Sequence, residues 1–182
     1  FNEDDGPILW WSPNPRGVLE LDGLRVTRSL RKRIRNAGFE ATLDRDFAAV
    51  VAGCSEARHY AEGTWITPRM VRAYGELHEL GYAHSVEIWR AGELVGGLYG
   101  VSLGAMFFGE SMFSRVADAS KVALYHLVAQ LRRWDFDLID CQMVNPHLAT
   151  LGVVEMPRAE FVARLEANAH RPTRRGVWSF DH

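Results

Sequence analysis

Apolar residues recur along this chain at two different spacings. In several stretches the spacing is three or four, the signature of one buried helical face. Phe47, Val50, Val51 and Cys54 follow it, and Leu124, Leu127, Val128 and Leu131 form the stripe of a helix over 118–133. Thr67-Pro68 is a cap followed by a first-turn proline, so a helix starts there. That helix turns Met70, Val71, Tyr74 and Leu77 inward and stops at Gly81. Ser29 caps a further helix ending near Gly38. Between these stretches the period falls to two. Residues 85–89, 94–101 and 105–108 read as three strands, with Ala91-Gly92-Glu93 turning between the first two. A short strand at 24–27, a buried strand at 136–142 and a last one at 153–156 complete the set. A short helix near 147–151 and a helix opened by Pro157 flank that last strand, and residues 1–17 read as a Trp- and Pro-rich loop. An antiparallel meander followed by helix, strand, helix and strand predicts an α+β fold, a mixed sheet flanked by helices.

Composition adds limits to that plan. With 182 residues, 47% of them hydrophobic, the chain can bury one substantial core. Residues 16–182 are expected to form one domain, and 1–15 the remnant of a small N-terminal domain or its linker. The opening Phe-Asn-Glu-Asp-Asp-Gly-Pro reads as a loop entered midway, so residues before Phe1 are expected in the full protein. Two cysteines, Cys54 and Cys141, point to a reduced, cytoplasmic setting and not to a disulfide scaffold. The seven histidines show no metal-ligand spacing, and no apolar run approaches a membrane span. Neither metal nor membrane attachment is expected.

The net charge is −2, so any nucleic-acid partner must be held by a local patch. One such patch exists. Arg25, Arg28, Arg31, Lys32, Arg33 and Arg35 lie in a run that no acid interrupts from Gly23 to Ala37. On a helix, Leu30 and Ile34 make the buried pair while Arg28, Arg31, Lys32 and Arg35 share a neighbouring face. With no intrahelical acid to pair them, a phosphate backbone is the natural counter-charge. Arg171, Arg174 and Arg175 either extend the patch or belong to a tail.

The predicted order of elements resembles the GCN5-related N-acetyltransferase fold, which holds coenzyme A on a Gly-rich loop opening the helix after the meander. Here that stretch is Ser114-Arg115-Val116-Ala117-Asp118-Ala119-Ser120-Lys121. It has no glycine, and Asp118 would repel a diphosphate, so the acyl donor is expected not to be acyl-CoA. Asp140 and Gln142 end the otherwise apolar strand at 136–142. Two residues apart, they point to one face and Cys141 to the other, which also argues against a Cys141–His147 nucleophile pair.

Five further stretches are shared with one family. They are Pro7-Ile8-Leu9-Trp10-Trp11-Ser12-Pro13, Glu62-Gly63-Thr64-Trp65-Ile66-Thr67, Leu80-Gly81-Tyr82-Ala83-His84-Ser85, Gly109-Glu110-Ser111-Met112-Phe113-Ser114-Arg115 and Leu138-Ile139-Asp140-Cys141-Gln142. In this order and spacing they resemble the leucyl/phenylalanyl-tRNA–protein transferases, from residue 7 to about residue 165. The resemblance implies transfer of Leu or Phe, and less readily Met, from aminoacyl-tRNA to the N-terminal amine of proteins beginning with Arg or Lys, which marks them for N-degron proteolysis. It implies a monomer without cofactor, since the tRNA ester is already activated. It implies that Asp140 and Gln142 form a relay on the attacking amine, with Glu110 a carboxylate beside the reacting groups. Leu98, Phe107, Leu127 and Leu131 would line an apolar pocket for the donor side chain. Trp65 and Tyr74 would stack on the terminal adenine or wall that pocket. The basic helix would bind the tRNA body. Two rival functions share the resemblance: a catalytically silent tRNA- or N-terminus-binding domain, and an aminoacyl-tRNA-dependent ligase of the peptidoglycan-bridge type.

Overall fold

The computed structural model describes residues 11–56 and 66–181. Trp65 and residues 7–10 and 62–64 of the shared stretches lie outside them. Seven strands form one sheet: β1 (Arg16–Glu20), β2 (Glu40–Leu43), β3 (Ala83–Arg90), β4 (Glu93–Leu103), β5 (Met106–Ser114), β6 (Leu138–Gln142) and β7 (Val154–Met156). Their order is β2-β3-β4-β5-β6-β1-β7. Every neighbouring pair is antiparallel except β5 and β6. A parallel pair needs a crossover, and α4 (Ala119–Arg133) supplies it. The other helices are α1 (Arg28–Asn36), α2 (Phe47–Glu56), α3 (Pro68–Glu79), α5 (Pro146–Leu151) and α6 (Arg158–Asn168). The expected α+β mixed sheet flanked by helices is therefore present.

Local chemistry explains the helix ends. The Thr67 hydroxyl accepts from the Met70 N–H and Pro68 occupies the first turn, as expected. For α1 the cap is Thr27 and not Ser29; its hydroxyl accepts from the Leu30 N–H at 3.2 Å. The α4 stripe is buried throughout, and Leu30 is buried beneath α1. Val71 is corrected to an exposed position, because Tyr74, Met70 and Leu77 alone fill the inward face of α3.

The strands depart further from expectation. Residues 24–27 are not a strand; they lead from a one-turn 3-10 helix, Leu21–Gly23, into α1. The strand lies earlier, at β1, which begins inside the stretch read as loop. β5 runs on to Ser114, six residues past the expected end. β3 is buried on both faces from Ala83 to Ile88, so its polar residues sit in the interior instead of alternating outward.

Three apolar clusters cover the two faces of the sheet. The largest packs α4 and α1 against one face. On the other face, one cluster lies beneath α2 and α3 and a smaller one beneath α6. The C-terminal segment is pinned to the edge of the first. Trp178 stacks on His84 with ring centroids 3.6 Å apart, and the Asp44 carboxylate accepts from both the His84 ring and the Trp178 N–H. Arg171 pairs with Asp135, Arg174 lies over Trp134, and Arg175 lies over Tyr82. These three arginines belong to the tail and are already partnered. Among the described residues, no helix is long and apolar enough to cross a membrane.

Candidate active site

The site is built where β5 and β6 part. Their last parallel pair is Phe108 opposite Asp140. Just beyond it, each strand carries one extra residue. On β5, Gly109 faces Gly100 and Ser111 faces Tyr99, leaving Glu110 as a bulge. On β6, Asp140 faces Val18 and Gln142 faces Gly17, leaving Cys141 unmatched. Bulges re-aim side chains and break pairing. Here two of them flank one gap and direct polar groups towards it.

Asp140 is fully buried, on the sheet face opposite α4. Its neighbours in sequence, Ile139 and Cys141, pack on the α4 side. Arg16 of β1 grips the carboxylate with both arms of its guanidinium, Nε to Oδ1 at 2.8 Å and Nη2 to Oδ2 at 2.6 Å. Gln142 adds two donors. Its backbone N–H reaches Oδ1 at 3.1 Å and its side-chain Nε2 reaches Oδ2 at 3.4 Å. The pairing of Asp140 with Gln142 is thus as expected, but simple strand alternation does not produce it. Gln142 has φ +59°, in the left-handed region, and Met143 N–H closes a tight turn onto the Cys141 carbonyl. Gly17 makes room for that turn. A Cβ on it would lie 2.6 Å from the Met143 carbonyl carbon.

Glu110 reaches the same region from β5. Burial raises its carboxyl above the ordinary value; the hydrogen bond from the Tyr74 hydroxyl lowers it, the Asp140 charge raises it and Arg16 lowers it. Tyr74 is raised in turn, by burial and by Glu110. Its hydroxyl faces the site through the bond to Glu110, and its ring meets that of Tyr99 in a T-shaped contact at 5.3 Å. Burial, with Asp140 beside it, pushes the Cys141 thiol up to about 12, so it stays protonated near neutrality. His147 is exposed on α5.

The raised Glu110 carboxyl has a consequence for stability. A carboxyl raised by folding contributes stability that is complete below its unfolded value and lost as pH rises through its folded value. Glu110→Gln should therefore gain on wild type as pH rises from about 4.5 through the higher value of the folded carboxyl. Denaturant unfolding of both proteins across that range measures the difference; parallel curves would show that Glu110 is not strained by its charge.

The remaining expected residues are distributed as follows. Leu98, Phe107, Leu127 and Leu131 are all buried in the main core, on the α4 face. Leu98 and Phe107 alternate out of phase with Tyr99 and Phe108, so the sheet separates them from the face that carries Asp140. Arg28, Arg31, Lys32 and Arg35 are exposed on α1, and among the described residues none of them makes an ion pair. Arg33 turns instead to Asp118, 3.7 Å away. Asp118 begins α4 in a left-handed conformation and also binds Lys121. A carboxylate thus stands at the start of the helix that follows the meander. Arg16 escaped sequence reasoning. Its only signal was a lone charge between Pro15 and the apolar Gly17-Val18-Leu19.

A gap between parallel strands, lined by paired acid and amide groups, suits attack on an acyl carbon. Comparison with known proteins gives the class and then the family. The Leucyl/phenylalanyl-tRNA protein transferase family matches residues 18–166. A leucyl/phenylalanyl-tRNA–protein transferase of Thiobacillus denitrificans is 58% identical over 96% of this chain and 77% of its own length. That of Nitrosospira multiformis is 56% identical over 100% of this chain and 78% of its own. Among solved structures, the L-PGS from Bacillus licheniformis is a partial likeness, with TM-score 0.49 and 12% identity over 73% of this chain and 46% of that one. The chain is by class an aminoacyltransferase. It belongs to the leucyl/phenylalanyl-tRNA–protein transferase family, which moves aminoacyl groups from tRNA to proteins.

Proposed function

We propose that this chain transfers Leu or Phe, and less readily Met, from aminoacyl-tRNA to the N-terminal α-amine of proteins beginning with Arg or Lys, marking them for N-degron proteolysis. The observation that carries the reading is the hydrogen-bonded Asp140–Gln142 pair at the gap between β5 and β6. An α-amine has a free pKa near ~7.7–8, so a useful fraction is neutral at physiological pH. Its nitrogen attacks the ester carbonyl; the new C–N bond forms as the bond to the ribose oxygen breaks. The amine sheds one proton, and the ribose oxygen gains one.

Gln142 is no base, but its carbonyl accepts a hydrogen bond from the amine. Donation of its NH₂ group to the Asp140 carboxylate polarises that carbonyl and fixes its direction. The rest of the rate comes from holding both reactants in attack geometry, worth up to ~7–11 kcal/mol. Glu110 leaves the cluster of Arg16, Asp140 and Glu110 one negative charge in excess when ionised, which favours a cationic acceptor. In this reading the donor side chain enters at the gap, and Leu98, Phe107, Leu127 and Leu131 are the apolar residues of the α4 face that back it. Arg28, Arg31, Lys32 and Arg35 hold the tRNA.

The test offers radiolabelled Phe-tRNA and radiolabelled acetyl-CoA in parallel to a protein beginning with Arg and to the same protein beginning with Ser. Label should pass from Phe-tRNA to the Arg protein alone. Transfer from acetyl-CoA, or equal labelling of both acceptors, would overturn the donor or the acceptor assignment respectively. Binding of Phe-tRNA without transfer would mean a silent binding domain.

A further inference from the structure

We infer that Arg16 is a positioning residue for the transfer reaction, acting through Asp140 on the side-chain carbonyl of Gln142. The inference rests on the reading of Asp140 and Gln142 as the amine-binding relay.

Asp140 is fully buried and cannot draw its order from solvent. An aspartate so placed is held in one plane only by its donors. Arg16 supplies the two strongest of these as a fork, and the fork is itself fixed. The guanidinium lies over the Phe161 ring at 4.9 Å, and its side chain is only 12% exposed. A bidentate guanidinium sets the plane of a carboxylate as well as its distance. Both oxygens then have one direction left open, and Gln142 occupies both, with its backbone N–H on Oδ1 and its amide NH₂ on Oδ2.

The order of control therefore runs from β1 to the gap. Arg16 orients Asp140, and Asp140 orients Gln142. The left-handed backbone of Gln142 is a conformation that a non-glycine residue rarely holds unless its surroundings impose it. The neighbouring residue of β1, Gly17, allows the close approach that seats this turn. β1 thus shapes the Gln142 turn through its backbone and aims the Gln142 amide through Arg16.

The test measures kcat and KM for aminoacyl-tRNA in the full chain and in R16K, R16M, Q142A and R16M/Q142A, with thermal melts to confirm folding. R16M should lose kcat by about 10²-fold, the scale of a misplacement of roughly 1 Å at a reacting group, with KM unmoved. R16K restores the charge without the fork, so it should recover part of that activity. The double variant should be no slower than the slower single variant, since both substitutions interrupt the same line of hydrogen bonds. An R16M protein that turns over like wild type while Q142A is impaired would overturn the role of Arg16 and leave the relay standing. Effects that multiply in the double variant would show that Arg16 does not act through Gln142. Full turnover by Q142A would overturn the relay itself, and this inference with it. Should R16M fail to fold, R16K decides: full turnover there would remove any need for the fork.

Discussion

Gln142→Ala should lower kcat for aminoacyl transfer by roughly 10²-fold or more while leaving the affinity for charged tRNA unchanged. Proton handling by a positioned group typically contributes ~10²–10⁴-fold, and the substitution removes the only acceptor assigned to the amine. Asp140→Ala should be at least as slow, and it should also be unstable. It strands the Arg16 guanidinium in a buried setting, and breaking a buried pair from one side costs about 3–5 kcal/mol. The two variants therefore separate chemistry from folding: Gln142→Ala should melt near wild type and Asp140→Ala well below it. Cys141→Ala, which changes a thiol packed on the α4 side, should transfer nearly as well as wild type. Single-turnover kinetics with Phe-tRNA provide the measurement. A Gln142→Ala protein with wild-type turnover removes that residue from the mechanism.

The second large effect is expected on α1. Arg28, Lys32 and Arg35 replaced together by Ala should raise KM for aminoacyl-tRNA with kcat nearly unchanged, the pattern of a weakened uniform binding interaction. All three are exposed and make no ion pair among the described residues, so their removal breaks nothing in the fold. Each phosphate left without its cationic partner should shallow the plot of log K against log salt by roughly 0.7–0.9, so the triple variant should give up roughly 2–3 units of slope. An aminoacyl-adenosine donor, which lacks the tRNA body, should react equally with both proteins. If the triple variant binds charged tRNA like wild type with the same slope, α1 is a solvated face and the tRNA lies elsewhere.

Helices were more legible in the sequence than strands, and the reason is local. A cap such as Thr67-Pro68 acts within four residues, so its signal and its effect lie together. Strand faces depend on what packs above and below them. β3 is covered on both sides, so Glu87 and His84 are buried where alternation would place one of each neighbouring pair outside. β1 is five residues long and buried at its centre, with too little pattern to separate it from the preceding Pro-rich loop. Asp140 and Gln142 could be grouped from their spacing, yet a bulge and a left-handed turn bring them together. Arg16 was invisible because its partner lies 124 positions away, and only the sheet order makes them neighbours. Tyr74 could be singled out by residue type, but the direction of its hydroxyl follows from its bond to Glu110, on a strand far along the chain.

The paired bulges give this site an unusual sensitivity to length. Deleting Glu110 or Cys141 would mend the hydrogen-bond ladder, and by the measure of sheet regularity it would be an improvement. It would leave every flanking residue opposite its present partner, Ser111 opposite Tyr99 and Gln142 opposite Gly17, and remove only the irregularity that re-aims the side chains. The core would keep its faces, while the polar groups would lose the kink that turns them into the gap. Residues 109–111 and 140–142 should therefore accept exchanges of similar shape more readily than any change in their number. Across relatives of this chain, these two triplets are where insertions and deletions should be rarest.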